Sequence, residues 1–159
     1  MANDRQSKGR GRGRGNEPKD EFAQATIDLA RVTRVMAGGK RMRFRACIVI
    51  GDRKGRIGLG LAKGADVALA MAKAGNDARK HLMKFPITPE GTIPHQIRIK
   101  WGSAQILLKP APVGTGIIAG SVLRQIFELS GVRDVVGKIL GTSNKINNAK
   151  ALFYALSKM

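Results

Sequence analysis

The sequence predicts an α+β protein made of two small units that a proline-containing linker at 85–91 separates. Apolar and polar residues alternate from position 42 and again at 96–101, which is the period of a β-strand. At 65–83 apolar residues instead recur every three or four positions, as in a helix. With 159 residues, 43% of them hydrophobic, the chain can bury a core in one compact domain or two very small ones.

Three strands are expected first. The stretch 27–36 fits either a helix start or a strand, and its β-branched, nearly alternating residues favour a strand. A Gly38-Gly39 turn leads to a second strand, whose first half alternates, as at a sheet edge, and whose second half is continuously apolar, as in a buried strand. Polar turn residues at 51–55 lead to a third. The expected strands span 31–35, 42–50 and 56–61.

An alanine-rich helix at 65–83 is expected to cover one face of this three-stranded antiparallel sheet. Its apolar residues form one stripe at helical spacing, and Pro86 and Pro89 end it. The stripe consists of Val67, Ala70, Met71, Ala74, Ala78 and Leu82.

The second unit has the pattern of a further small α/β layer. A hairpin is expected first, then a glycine-rich segment, a helix that stops at Gly131, a strand and a short final helix. The expected ranges are 96–101 and 104–108 for the hairpin, 114–120 for the glycine-rich segment, 132–140 for the strand and 147–156 for the final helix.

The charge points to a polyanionic partner. The chain has 29 Lys and Arg against 11 Asp and Glu, a formal net charge of +18. Such an excess repels itself unless an anion neutralises it, and the commonest cytoplasmic polyanion is nucleic acid. No apolar run approaches the roughly 20 residues of a membrane helix, and a lone Cys47 with two histidines cannot form an intrachain disulfide or a zinc finger. We therefore expect a cytoplasmic protein without metal or cofactor.

The first 20 residues contain no Val, Ile or Leu, and 8–15 alternates cations with glycine. This segment is expected to stay disordered until it meets an anion, because glycine raises the entropic cost of ordering while arginine binds phosphate. Arg10, Arg12 and Arg14 are the expected RNA contacts; the alternative is a merely solubilising tail.

The densest basic feature surrounds the Gly38-Gly39 turn. A basic hairpin of this kind can contact phosphates from its tip and one face, with affinity that falls steeply with salt. The alternative is a charged edge that prevents strand pairing. The predicted RNA-binding residues are Arg31, Arg34, Gly38, Gly39, Lys40, Arg41, Arg43 and Arg45, with Arg53, Lys54, Arg56 and Lys63 further along.

The segment 114–119 matches the dinucleotide fingerprint G-x-G-x-x-A, with Asp134 eighteen positions after Gly116. Too few residues follow this segment to complete a nucleotide-binding sheet. Phosphate capture at a helix N-terminus is therefore the better functional interpretation. The alternative is a tight turn that needs small residues. No nucleophile–base spacing, carboxylate pair or P-loop occurs, and His95 has no evident partner. We therefore expect no catalytic residues.

Eight segments resemble, in order, bacterial small-subunit ribosomal protein five, over 29–156. Any one of them is weakly specific, but together they are highly specific. They are Arg34-Val35 with Gly38-Gly39-Lys40-Arg41; Phe44; Val49-Ile50-Gly51-Asp52; Lys54-Gly55-Arg56-Ile57-Gly58; Thr92-Ile93-Pro94-His95; Leu108-Lys109-Pro110-Ala111; Gly114-Thr115-Gly116-Ile117-Ile118-Ala119-Gly120; and Gly141-Thr142-Ser143-Asn144 with Ile146-Asn147.

The resemblance implies a domain like a double-stranded-RNA-binding domain at 21–85 and a C-terminal α/β domain at 92–159 with a left-handed β-α-β crossover. It also implies a place between the head and body of the small ribosomal subunit, near the messenger-RNA entry. The implied partners are ribosomal RNA and proteins four and eight of that subunit, and contact with protein four influences decoding accuracy.

Particular positions match the family's functional residues. The loop 38–41 resembles its RNA-reaching loop, and Gly102 and Arg124 are similar to positions at the accuracy-linked contact with protein four. Three features depart from the family: Ala37 where Lys or a polar residue is usual, Lys145 where proline is usual, and the Arg-Gly tail. The Ala37 departure implies a weaker phosphate contact, and the Lys145 departure an altered turn.

The leading hypothesis is a non-enzymatic component of the small ribosomal subunit that binds ribosomal RNA. The runner-up is a free double-stranded-RNA binder or RNA chaperone that uses the same N-terminal half. Against it, the region 101–159 carries 7 cations, 2 acids and many apolar residues, which suit a fixed partner. A nucleotide-dependent enzyme would depend on the 114–119 segment alone.

Overall fold

The computed structural model describes residues 22–159, which form two four-stranded sheets and three helices. The predicted tail and its Arg10, Arg12 and Arg14 lie outside the described residues. In that part of the chain no helix is long and apolar enough to cross a membrane. The first half contains β1 Ala23–Met36, β2 Gly39–Gly51, β3 Arg56–Gly64, α1 Val67–Lys80 and β4 Leu82–Lys84.

The first sheet has the order β1-β2-β3-β4 and is antiparallel throughout. The predicted three strands and helix occur in the expected order, but the expected end of the helix at position 83 was wrong. The backbone leaves the helix at His81, and residues 82–84 pair with residues 56–58 at the edge of β3. Leu82, predicted to belong to the helix stripe, is therefore part of a fourth strand.

The helix α1 packs very closely on β3. Its buried alanines, Ala70, Ala74 and Ala78, face strand positions that carry glycine. A Cβ at Gly60 would overlap the backbone carbonyl of Ala74, and Gly58 and Gly64 meet the helix backbone in the same way. The alanine stripe and the glycines of β3 thus let helix and strand backbones touch.

The second half contains β5 Ile97–Trp101, β6 Ala104–Pro110, β7 Ile117–Ile118, α2 Ser121–Ser130, β8 Val135–Ile139 and α3 Lys145–Leu156. The sheet order is β5-β6-β8-β7, in which only β7 and β8 are parallel among the described strands. Because α2 connects them, β7-α2-β8 is a β-α-β unit. The left-handed sense of this crossover stays a prediction from the resemblance.

Several element boundaries differ from the sequence prediction. The largest difference is in β1, which begins at Ala23 rather than at 31 because residues 23–30 also pair with β2. The strand β8 begins at Val135 rather than at 132 because the amides of Arg133 and Asp134 donate to the Gly91 carbonyl instead of a neighbouring strand. The helix α3 begins at Lys145, where Asn144 caps it by accepting a hydrogen bond from the Ile146 amide at 3.1 Å.

Lys145 occupies the first helical position, which favours proline because that amide needs no intrahelical acceptor. The resemblance implies a proline here, and Lys145 leaves the helix start intact.

One apolar core joins the two halves. The face of the first sheet opposite α1 contributes Ile27, Cys47, Val49 and Ile57, which cluster with buried residues of α2 and α3. Phe85, in the linker, packs edge-on against Phe127 of α2 with ring centroids 6.0 Å apart. The first sheet is thus covered on both faces, by α1 on one and by α2 and α3 on the other.

We predict that Gly60→Ala lowers the free energy of unfolding by about 1–3 kcal/mol, because the added Cβ overlaps the α1 backbone. The control is Gly75→Ala within α1, where a Cβ meets only a glutamine oxygen at 3.9 Å and where alanine should stabilise the helix by up to about 1 kcal/mol. Chemical denaturation of both variants measures the difference. Equal stability of Gly60→Ala and wild type would contradict the close packing.

Candidate nucleic-acid interface

The strands β1 and β2 extend past the rest of the first sheet as a two-stranded arm, residues 31–43. The pairing of β3 ends where Gly64 lies opposite Phe44, so the arm has no third strand. Met36 pairs with Gly39, and Ala37 and Gly38 form the turn, one residue earlier than predicted. Gly39 has φ +137°, which favours glycine at this position. Every residue from 33 to 43 is exposed.

The register places most of the arm's cations on one face. Directly paired residues of an antiparallel sheet lie on the same face, and alternate residues along a strand share it. Arg34 pairs with Arg41, and Arg45 pairs with Lys63 of β3. The resulting basic face consists of Arg34, Arg41, Arg43, Arg45 and Lys63, and four of these line a shallow groove of about 250 Å³. Arg31 and Lys40 lie on the opposite face.

Most of these charges are uncompensated. Arg45 forms an ion pair with Asp28 at 3.2 Å, and Lys145 lies 4.0 Å from the same carboxylate. Within residues 22–159, no carboxylate lies within 4 Å of the other arm cations or of Lys63. These are Arg31, Arg34, Lys40, Arg41 and Arg43. The basic face therefore has several guanidinium groups ready for an external anion.

The cations of the β2–β3 turn do not join this face. Arg53, Lys54 and Arg56 follow β2 at its far end, roughly 40 Å from the arm's tip at 3.3 Å per residue. The Nε of Arg56 donates to Asp52 at 2.7 Å, and its guanidinium lies 5.3 Å from the centre of the Phe22 ring. The predicted cations therefore lie in two separate basic regions rather than at the tip and one face of a single hairpin.

The carboxylate of Asp52 holds the β2–β3 turn together. It accepts hydrogen bonds from the amides of Lys54 and Arg56 at 2.8 and 2.9 Å and from the Arg56 side chain. Burial raises the pKa of Asp52. The hydrogen bonds from Arg56 and from the Lys54 amide, together with the charge of Arg56, lower the pKa by more, so that it falls below the ordinary value of 3.8. The turn is thus stabilised by an ionised acid.

The glycine-rich segment is a structural turn. Two of its glycines have left-handed backbones, with φ +92° at Gly114 and +75° at Gly116. The Gly116 amide donates to the carboxylate of Asp134 at 2.7 Å, and Asp134 is 4% exposed. A carboxylate of the chain itself therefore holds the Gly116 amide, while Gly120 lies at the N-cap position of α2. The small residues of the segment serve a tight turn, and phosphate capture at the N-terminus of α2 stays a prediction.

The positions predicted to contact protein four lie on two different elements. Gly102 occupies the β5–β6 turn with φ +56° and open space around it. Arg124 is exposed on α2 and pairs with Glu128 at 3.2 Å. Arg133, which the sequence prediction did not select, lines the same groove as Arg53 and Arg124. These arginines come from distant segments that only the fold brings together, so the spacing of residues in the sequence could not predict this groove. His95 is an exposed loop residue.

Two family models match the chain. "Ribosomal protein S5, N-terminal domain" matches residues 22–86, and "Ribosomal protein S5, C-terminal domain" matches residues 99–159. The chain belongs to the ribosomal protein S5 family. Curated relatives agree: the small ribosomal subunit protein uS5 of Thermus thermophilus is 47% identical over 142 residues, which cover 89% of this chain and 87% of the relative.

Further S5 relatives match to a similar extent. The Protochlamydia amoebophila protein is 45% identical over 149 residues, with 89% of each chain covered. The Cyanidium caldarium protein, named uS5c, is 44% identical over 138 residues, with 87% of this chain and 82% of the relative covered. The chain is thus a ribosomal protein of the small subunit with a structural rather than an enzymatic role, and its compartment is the cytoplasm, as the sequence predicted.

We predict that the stabilising effect of Asp52 in this S5 protein disappears in acid. A carboxyl with a lowered pKa stabilises the fold fully above its unfolded value of 3.8 and loses this effect as the pH falls through the folded pKa. Asp52→Asn should therefore be less stable than wild type at neutral pH, with a difference that shrinks between about pH 5 and pH 1.

Urea denaturation across this pH range measures that difference. The control is Asp66→Asn at the start of α1, because the Asp66 side chain makes no capping hydrogen bond. A difference between Asp52→Asn and wild type that is the same at every pH would contradict the proposed role of the ionised carboxylate.

Proposed function

We propose that the chain binds ribosomal RNA of the small subunit through its two-stranded arm. The observation that carries this proposal is the basic face, on which Arg34, Arg41, Arg43 and Lys63 border one groove without a carboxylate partner in the described chain. Guanidinium groups form paired hydrogen bonds with phosphate oxygens, so such a face recognises a sugar-phosphate backbone.

The mechanism is electrostatic scaffolding. Arg41 and Arg43 lie two residues apart on β2, roughly 7 Å along the strand, so their side chains can contact different phosphates. Structured RNA is recognised largely through phosphates, 2′-hydroxyl groups and shape, which a basic ribbon can contact without reading bases. Each neutralised phosphate releases counterions, so binding depends steeply on salt.

The finer placement follows the family resemblance. The proposed partners are proteins four and eight of the small subunit, at a position between head and body near the messenger-RNA entry. Gly102 and Arg124 are proposed to contact protein four and so influence decoding accuracy. The open space at Gly102 and the exposure of Arg124 support external contacts there. The proposed domains remain 21–85 and 92–159, with the segment 1–20 as a basic tail.

We predict that changing Lys40, Arg41 and Arg43 together to Gln weakens binding to small-subunit ribosomal RNA and flattens its salt dependence. Because three cations no longer neutralise phosphates, the slope of log K against log salt should become shallower by roughly 2–3. Filter binding over a series of KCl concentrations measures the slope. The control changes Lys73, Lys80 and Lys100 to Gln, which removes the same charge from exposed positions outside the arm. An arm variant with the control's slope would refute the proposal.

Sedimentation distinguishes a fixed component from a free RNA binder. In a lysate with Mg²⁺, a tagged copy of the chain should move with the small-subunit fraction, and the arm variant should move there less. A free double-stranded-RNA binder or chaperone would instead spread over fractions that contain many RNAs. Absence of the wild-type chain from the small-subunit fraction would reject the assignment.

A further inference from the structure

A second group of arginines lies at the end of the first sheet farthest from the arm's tip. An open groove of about 560 Å³ lies where the β2–β3 turn meets the C-terminal end of α2. Its lining includes Arg53, Arg124, Glu128 and Arg133, which come from both halves of the chain. The two halves must pack together before this groove exists.

The backbone of Arg53 is fixed against the end of α2. Its φ of +57° is unusual for a residue with a side chain. The Arg53 amide donates to the carbonyl of Leu129 at 3.0 Å, and the Gly55 amide donates to that of Ser130 at 2.9 Å. These bonds hold the turn in place, and Gly131 allows the approach because a Cβ there would overlap the Arg53 carbonyl.

Arg133 is positioned by different contacts. Its amide donates to the carbonyl of Gly91 at 2.8 Å. The aliphatic part of its side chain lies over Gly91, where an added Cβ would be 3.3 Å from it. The linker therefore orients Arg133 from one side of the groove while the β2–β3 turn orients Arg53 from the other.

The groove has an excess of positive charge. Three arginines line it against one acid, Glu128, whose carboxylate is already paired with Arg124 at 3.2 Å. Among the described residues neither Arg53 nor Arg133 has a carboxylate within 4 Å, and the neighbouring Asp52 is engaged by Arg56 and the turn amides. Two guanidinium groups thus lack a counterion within residues 22–159.

We propose that Arg53 and Arg133 form a second RNA site that binds the phosphodiester backbone of a strand lying in this groove. The groove is open to solvent, which suits a chain of phosphates better than a small enclosed ligand. In the described lining the apolar side chains are buried Val132 and half-buried Ile117, with no aromatic residue, so a stacked base lacks an anchor there. Arg124, which is paired with Glu128, is left to the proposed contact with protein four.

The inference rests on the proposed RNA-binding function and extends it to a second, distant surface. The two sites lie at opposite ends of β2, roughly 40 Å apart. Binding at one site raises the effective concentration of RNA at the other, so two modest contacts hold one long RNA tightly.

The test uses the full chain and small-subunit ribosomal RNA transcribed in vitro. The groove variant combines Arg53→Gln with Arg133→Gln, and its control combines Lys73→Gln with Lys80→Gln on α1. A second groove variant combines Arg53→Gly with Arg133→Gln, because glycine accepts the positive φ and preserves the turn. Thermal unfolding confirms that each variant is folded.

Removing two phosphate-binding cations should make the slope of log K against log KCl shallower by about 1.5 in both groove variants, and not in the control. If the groove variants match the control while the arm variant is shallower, the second site is refuted and the proposed function stands. That result is also expected if the groove holds a protein. If neither arm nor groove variants change the slope, both proposals fail.

Discussion

One face of the first sheet packs on α2 and α3, and this contact determines where the arm and the far end of the sheet lie relative to the second half. Ile27, Cys47, Val49 and Ile57 supply the sheet's side of this core. Burial raises the pKa of the Cys47 thiol to about 11, so this side chain behaves as an apolar core residue. Because α1 occupies the opposite face, the sheet is a rigid layer from which the arm projects.

The acids and bases of the described chain have different tasks. Carboxylates accept hydrogen bonds within the fold: Asp28 from Arg45, Asp52 from the β2–β3 turn, Asp77 from the Leu61 amide and Asp134 from the Gly116 amide. Most arm cations have no such partner. The excess positive charge therefore faces solvent, where a polyanion can neutralise it. The four carboxylates named above stabilise turns and strand edges.

Strand alternation also divides the arm into two unlike faces. The basic face continues the side of the sheet that packs on α2 and α3. The opposite face carries Val35 and Met42, which are 69% and 51% exposed, beside Arg31 and Lys40. The arm therefore presents a basic face and a mixed apolar and basic face to solvent.

The sequence by itself determined the class of fold, the order of most elements, the basic hairpin and the family. Period-two alternation and the alanine stripe indicate which side chains of a strand or helix are buried, and the eight ordered motifs indicate the family. It did not determine β4, because three residues after a helix form a strand only where the edge of β3 is available to pair with them. Nor could it show that Asp134 accepts a hydrogen bond from the Gly116 amide, which holds the glycine-rich segment in a tight turn.

Only the tertiary structure separated the basic residues into an arm and a distant turn. The two groups flank β2, and an extended strand of 13 residues places its ends roughly 40 Å apart. The same packing brought Arg53 beside Arg133. Spacing along the chain records local geometry, whereas contacts between distant segments depend on how the two halves share one core. The physical reason is that a side chain's partners are set by long-range packing, which no local pattern encodes.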